Sequence, residues 1–519
     1  MSNYQDIAKN IRNRLRQYNL NSIVDACLTI LYHFRGQGLE ELRSAPWLTL
    51  LIVKLALEDA CINIQDGKDC PIEEIDRARN AIWNATEKNS NAVPSGVFLM
   101  IRSLIHPQIL FQQPESFSFI RWPALIAELP VDHPTRLQFI ETLGCDPDTF
   151  IVVIFAIYVA VLDGKKFISL RFFDPLRPRY GEAIESILNR YAKDFVFLRS
   201  ELRKELKNRL YEEVNGKIKI KKDAIPRPDS EKIEFPWLSK FPLLKHQSGE
   251  IAVWHPLVFA RSMEDGVHNA LAPLGQAYTD PFSKVFEKYV LTLTSETGLS
   301  YYTEDDMRGR IRSRPAVEAL ISGRECNILI ESKMSLFADN VLISDSTHQV
   351  FVKLKRIREA IVQGWKVGEQ IRNGEVSIGT TSTPLIDYLI VVTSRQLNIG
   401  SGEHLKRLFG DDVFNRINPE VGFVPSASQL TRLPPKNIFF LGIEEYERLT
   451  GAIASGEVDI ENLLQQAAKE SEDPKTSSLH FSQILQPHVK KWKSSKLIQD
   501  ARTRAENQLE QCLVSSEIA

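Results

Sequence analysis

RGRIRSRPAVEALISGRECNILIESK, residues 308 to 333, is the stretch on which the fold of this 519-residue chain turns. It lies across two β segments, Met307 to Ile321 and Glu325 to Lys333, joined by the turn signal Ser322-Gly323. Side chains alternate across a strand, so residues of equal parity share a face. Arg308, Arg310, Arg312, Arg314 and Glu318 share parity on the first segment, and Asn327, Leu329, Glu331 and Lys333 share it on the second. Paired as a hairpin, the segments set Glu318 near Glu331 and Lys333 at the sheet edge. The apolar run NILI just before Glu331 marks this as the place where a buried strand emerges.

Outward from this hairpin, the pattern is that of an α/β unit. Asp280 to Leu293 carries an apolar stripe of Phe282, Val285, Phe286, Tyr289, Val290 and Leu293. Ser346 to Arg372 repeats helical spacing with Val350, Leu354, Ile357, Ile361 and Trp365. Leu385 to Ser394 and Asn437 to Ile443 are buried strands, and EEYERLTGAI after them is helical. The order helix, strands, helix, strand, strand predicts an α/β sheet sandwiched by helices over 276–455.

The rest of the chain has a different texture. Residues 1–215 form a mostly α-helical region, with helices over Leu20 to Phe34 and Trp47 to Ile64 and a long charged helix from Tyr180 to Glu213. Residues 216–275 read as a connecting segment: GKIKIKKD is a short basic edge strand, and IPRPDSEKIEFPWLSKFP is dense in proline. Residues 456–519 are a polar helical tail. Within it KKWKSSK, Lys490 to Lys496, reads first as a solvated helix face and second as a nucleic-acid contact.

Composition narrows the class. Lys+Arg total 64 against 66 Asp+Glu, a net charge of −2, which excludes a wholly basic nucleic-acid coat but allows a local basic groove. Charged residues at 25% and hydrophobic residues at 43% describe a folded chain. Six scattered cysteines form no CxxC or zinc-like cluster and read as reduced cytosolic thiols. The start is polar, and the longest apolar run, Thr149 to Leu162, has 14 residues against the roughly 20 a bilayer needs. A buried helix and a cytoplasmic protein without a membrane span are expected.

Two carboxylates and a lysine at one strand end suit phosphodiester hydrolysis. Carboxylates hold Mg²⁺, the ion lowers the pKa of a bound water, and lysine stabilises the charge that develops. The arginines would bind flanking phosphates without reading sequence. Acid-x-Lys occurs five times in the chain, but only Glu331-Ser-Lys333 ends an apolar β run, follows an acid on a neighbouring strand and precedes a long amphipathic helix.

On Pro315-Ala-Val-Glu318 and Ile328-Leu-Ile-Glu331-Ser-Lys333, together with the element order, residues 276–455 resemble the PD-(D/E)xK superfamily, the restriction-endonuclease-like fold. The family usually places Asp directly after Pro; here the acid is Glu, three residues later. The resemblance implies that the central sheet is mixed and that the unit is a Mg²⁺-dependent nuclease, with Mn²⁺ able to substitute. Glu318 and Glu331 would be metal ligands, and Lys333 would act on the water and the charge. Glu287, in FEKYV, matches the acid that many members carry on the helix before the sheet, as a further ligand. Gln349, Lys353 and Gln363 are all candidates for the family's polar residue on the following helix, and Lys353 is expected to bind nucleic acid with the arginines. DNA is the implied default substrate, and a role in bacterial restriction or anti-phage defence follows by fold analogy alone.

Two other readings stand beside this one: an RNase, for example one cutting tRNA, and a silent nucleic-acid-binding or assembly subunit. The helical region leaves open a homodimer or a protein partner. Arg102 and His106, one helical turn apart, read as a surface pair. His246, His255 and His268 lack ligand spacing, and there is no P-loop and no GxSxG.

Overall fold

The computed structural model describes residues 4–33, 39–87, 108, 110–111, 117–214, 217–221, 231, 234–308, 316–335, 347–373, 386–416, 425–490 and 492–518. The chain divides into two compact units. One takes in the described residues from 4 to 273 and again from 500 to 518; the other runs from 274 to 499.

In the first unit the helical periodicities become helices at Leu20–His33 and Pro46–Glu58. Pro46 sits in the first turn, where its missing N–H has no intrahelical partner to lose. Every side chain from Leu48 to Leu57 is buried. The apolar run forms Pro147–Leu162, started by Asp146, whose carboxylate accepts from the Asp148 amide at 3.0 Å. All residues from Phe150 to Tyr158 are buried, so the run is a core element. No single helix among the described residues is long and apolar enough to cross a membrane.

Several expectations for the first unit and the segment after it are corrected. The long helix over 180–213 is two helices, Arg177–Tyr191 and Phe195–Leu210. Between them Ala192 and Lys193 leave helical geometry to pair with Leu243 and Leu244, and Asp194 caps the next helix by accepting from the Phe197 amide at 2.8 Å. The segment 216–275 is not simply a linker. Lys217–Ile220 is the exposed strand the alternation predicted, and it pairs in a hairpin with Tyr211–Val214, which was expected to be helical. Leu243–Lys245 and Ile251–Val253 then join Phe167–Ile168 and Ala192–Lys193 in a four-stranded sheet. Pro236 does not hold the chain extended but starts a helix, as Pro256 does further on, and Trp237 and Trp254 pack edge to face at 4.8 Å inside the core. The tail is also divided. Residues 456–499 belong to the second unit, with helices Ile460–Glu472 and Phe481–Leu485, and residues 489, 490 and 492–495 have no regular structure. Of the described residues of the basic stretch, only Lys496 is helical, at the start of Lys496–Ile518.

The second unit contains a five-stranded mixed sheet. Its elements are α1 (Gln276–Glu296), β1 (Tyr301–Thr303), α2 (Glu304–Arg308), β2 (Ala319–Ser322), β3 (Cys326–Lys333), α3 (Thr347–Lys353), α4 (Lys355–Arg372), β4 (Ile386–Thr393), α5 (Gly402–Phe409), β5 (Ile438–Gly442) and α6 (Ile443–Ala454). Strand order is β5-β4-β3-β2-β1. The first three are parallel, and β2 and β1 are antiparallel to their neighbours. The strand expected over Met307–Ile321 is shorter: Met307 and Arg308 lie in α2, and the ladder starts at Ala319. The helix expected over Ser346–Arg372 breaks at Leu354, whose ψ of 16° is not helical.

One core of this unit lies between the sheet and α4. Leu320, Leu329, Leu389, Val391, Ile438 and Phe440 face Ile357, Ile361 and Trp365. Gly364 lets the helix approach: a Cβ there would meet Leu389 Cδ2 at 2.9 Å. Opposite hydroxyls lock α1 to α6, with Thr294 and Tyr446 oxygens 2.7 Å apart. The outer edge of β5 is covered, since Phe440 N donates to Gly400 O at 2.9 Å. At the start of β3 and β4, Asp387 accepts from Asn327 at 3.0 Å and from Arg432 at 2.5 Å in a buried network. The other end of β3 carries the candidate chemistry.

Candidate active site

Antiparallel register brings the acids together. Ala319 lies opposite Ile330, so one step further along the ladder sets Glu318 across from Glu331. Thr303 lies opposite Ala319, and one step further Glu304 reaches Glu318, its amide donating to Glu318 O at 3.2 Å. Three glutamates on three neighbouring chain segments thus stand in one row at the end of the sheet.

Glu331 is the most buried of them, 1% exposed. Its Oε1 accepts from the Lys333 ammonium, which shares its parity on β3. Its Oε2 is buried without a hydrogen-bond partner among the described residues. A carboxylate oxygen so placed lacks the compensation that desolvation demands. Glu318 is not in the ladder itself but at the bend before β2, so strand parity does not govern its side chain. Its Oε1 accepts from the Ser332 hydroxyl at 3.0 Å, although Ser332 has the parity opposite to Glu331. The carboxyl of Glu318 thus reaches around the strand end, and Ser332 fixes it there. From α4, the Gln363 side-chain amide donates to Ala316 O and steadies the chain two residues before Glu318.

Glu287 comes from α1. It is a quarter exposed and pairs with Lys284 at 2.8 Å, while its charge acts on Glu318. The electrostatics follow from this crowding. Burial, then the charge of Glu287, pushes the Glu318 carboxyl up to about 7, against the opposing pull of Ser332 and Lys333. Burial pushes Glu331 up to about 8; Lys333 works against this and Glu318 with it. The hydrogen bond it donates to Glu287 holds the Lys284 ammonium above its ordinary value.

Of the residues expected at the site, Glu318, Glu331, Lys333 and Glu287 are therefore in one neighbourhood. Lys353 is exposed on α3. Arg310, Arg312 and Arg314, the side chains of Arg308 and Gln349, and Arg102 with His106 lie outside the described residues. Glu304, Ser332 and Lys284 were not read from the sequence. Glu304 had no motif to mark it, because only the β1–β2 register places it; Ser332 was visible as the middle residue of acid-x-Lys.

Among the described residues, no set of three or more Asp, Glu, His or Cys side chains is arranged to hold a metal ion. The donor chemistry nonetheless fits a hard cation, which is commonly held by one or two carboxylates with water completing its shell. The unpartnered Oε2 of Glu331 and the Glu318 carboxylate are those donors. Compared with family models, curated proteins and solved structures, the chain matches none.

Proposed function

We propose that the second unit hydrolyses nucleic-acid phosphodiesters with a divalent metal, in the manner of the PD-(D/E)xK fold. The observation that carries this reading is Glu318 set across from Glu331, with Lys333 on one Glu331 oxygen and the other oxygen buried and unpartnered. The element order and the antiparallel β1–β2–β3 beside parallel β4 support the same fold. Glu318 and Glu331 hold Mg²⁺ or Mn²⁺, with Glu287 and its partner Lys284 at the rim. The ion, when bound, supplies a water of lowered pKa and neutralises phosphate charge. Ser332 holds the Glu318 carboxyl in place at the strand end. Lys333 orients the attacking oxygen and offsets the negative charge gathering on the phosphoryl oxygens as the new P–O bond forms and the ester bond breaks. DNA is the substrate the resemblance implies, and the six free thiols accord with a cytoplasmic setting. Restriction or anti-phage defence is part of the same proposal.

Incubation with plasmid DNA and with total RNA, in Mg²⁺, Mn²⁺ or EDTA, tests it. Cleavage that needs the metal and disappears in Lys333→Ala supports the enzyme, and the polymer that is cut assigns DNase or RNase. A second reading, a binding or assembly subunit, is favoured by the absence of a converged ligand set among the described residues. Binding of either polymer without cleavage under every metal condition selects that reading.

A further inference from the structure

The second unit carries a basic segment that the acid cluster does not use. Acidic residues are 66 of 519, about one in eight, yet residues 474–499 hold none, alongside five lysines, Lys475, Lys490, Lys491, Lys493 and Lys496. In a chain of net charge −2 this is a local concentration of positive charge. Lys490, Lys493 and Lys496 are exposed, and none forms a salt bridge among the described residues; Lys496 acts only through space, on Glu296. Some other cations of the unit are matched at close range, such as Arg372 with Glu369 and Lys436 with Glu472.

Residues 490 and 492–495 are irregular but held, and Lys496 opens the helix Lys496–Ile518. Ser495 is buried, and its hydroxyl lies 3.0 Å from that of Tyr289, which donates to Glu447 of α6. Trp492, between the lysines, lies under the Arg448 guanidinium at 4.8 Å, and Arg448 is fixed in turn by Glu444 at 2.9 Å. Lysines on an anchored chain lose less conformational freedom when they bind than lysines on a loose tail. The anchor is also tied to the site: α1 carries Glu287 toward the acid cluster and, two residues on, Tyr289 toward Ser495. Lysines interleaved with an aromatic ring are the side chains that follow a nucleic-acid backbone.

We propose that Lys490, Lys493 and Lys496 form a phosphate-binding arm that seats nucleic acid on the second unit, without reading its sequence. The inference rests on the nuclease reading of that unit and deepens it by naming where the polymer lies. The arm contributes charge, so it sets affinity and salt dependence, and the acids carry the chemistry.

The test reads binding alone. Full-length protein in EDTA is titrated into a fluorescent 30-mer, as DNA and as RNA, single- and double-stranded, at several salt concentrations. In K490Q/K493Q/K496Q the slope of log K against log salt shrinks by about 2 to 3, and affinity at 0.1 M salt falls about tenfold or more. The charge-preserving K490R/K493R/K496R variant keeps the slope, which a purely structural role for lysine would not allow. An unchanged slope in the glutamine variant overturns the arm, as does wild-type protein that binds none of the four oligomers. Loss of binding to anionic phosphatidylserine vesicles, with oligomer binding retained, also overturns it. Because no cleavage is measured, an inactive enzyme and an absent arm give different results.

Discussion

At the scale of single residues, the site is a set of acids that resist ionisation. Glu318 at about 7 and Glu331 at about 8 both bind protons more tightly folded than unfolded. For such groups stability is fully present below the unfolded carboxyl value and declines as pH rises through the folded values. Without metal, the protein should therefore lose stability between about pH 4.5 and pH 8. Glu318→Gln keeps a partner for Ser332 but removes the charge; in EDTA it should match wild type at pH 5 and exceed it by roughly 2 kcal/mol at pH 8. Urea titrations across that range check this, and a parallel decline in the variant would contradict it. Mg²⁺ at pH 8 should restore wild type and leave Glu331→Gln unmoved, since the cation takes the place of the protons. In cleavage assays, Lys333→Ala should lose about 10²- to 10³-fold in rate, the scale of one charge-stabilising donor. The acid pair was legible in sequence because NILI and the turn placed Glu331 at a strand end and Glu318 before it. Glu304 was not legible, since strand register arises from pairing and leaves no mark in composition.

At the scale of elements, close backbone approach decides where substitution is tolerated. Gly402 opens α5, and a Cβ there would come within 2.4 Å of Pro435 O, a backbone atom that cannot swing aside. Gly402→Ala should cost on the order of 2–3 kcal/mol and loosen the loop that covers the edge of β5. Gly181 lies in Arg177–Tyr191 with nothing near its missing Cβ, so Gly181→Ala should be neutral or stabilise by up to about 1 kcal/mol. Thermal melts of the two variants give opposite signs if packing, and not helix propensity, is the controlling term. The same contrast explains what could be read beforehand. The stripe on α1, the apolar runs of β3, β4 and β5, and Pro147–Leu162 follow from periodicity and burial, which sequence displays directly. Pro236 misleads because proline density signals extended chain, whereas a proline in the first turn signals a helix. Ala192–Lys193 misled because its helix break is caused by a strand some fifty residues away in Leu243–Lys245.

At the scale of the whole molecule, the first unit is discontinuous in sequence: it ends at 273 and resumes at 500. The returning helix residues are built into it. Ala501, Ala505 and Cys512 are buried, and Gln508 accepts from the Tyr180 hydroxyl at 2.9 Å. Arg502 lies over the Phe117 ring at 4.3 Å, and Arg504 reaches Glu128 at 3.5 Å and Asp148 at 3.7 Å. The two surface ion pairs add little, since solvent screens them. The buried small side chains, the hydrogen bond and the cation–π contact together amount to about 2–4 kcal/mol. That is a sizeable part of the 5–15 kcal/mol typical of a folded domain. A chain truncated after Gln499 should therefore unfold at lower denaturant concentration, by that margin, in the transition that reports Trp122 and the other first-unit tryptophans. Y180F in the full chain removes only the hydroxyl and should cost about 1 kcal/mol in the same transition. Fluorescence-monitored urea unfolding of the three proteins orders them as full chain, Y180F, truncation. A truncated chain as stable as the full one would mean that residues 500–518 are appended to the first unit and are not part of its core.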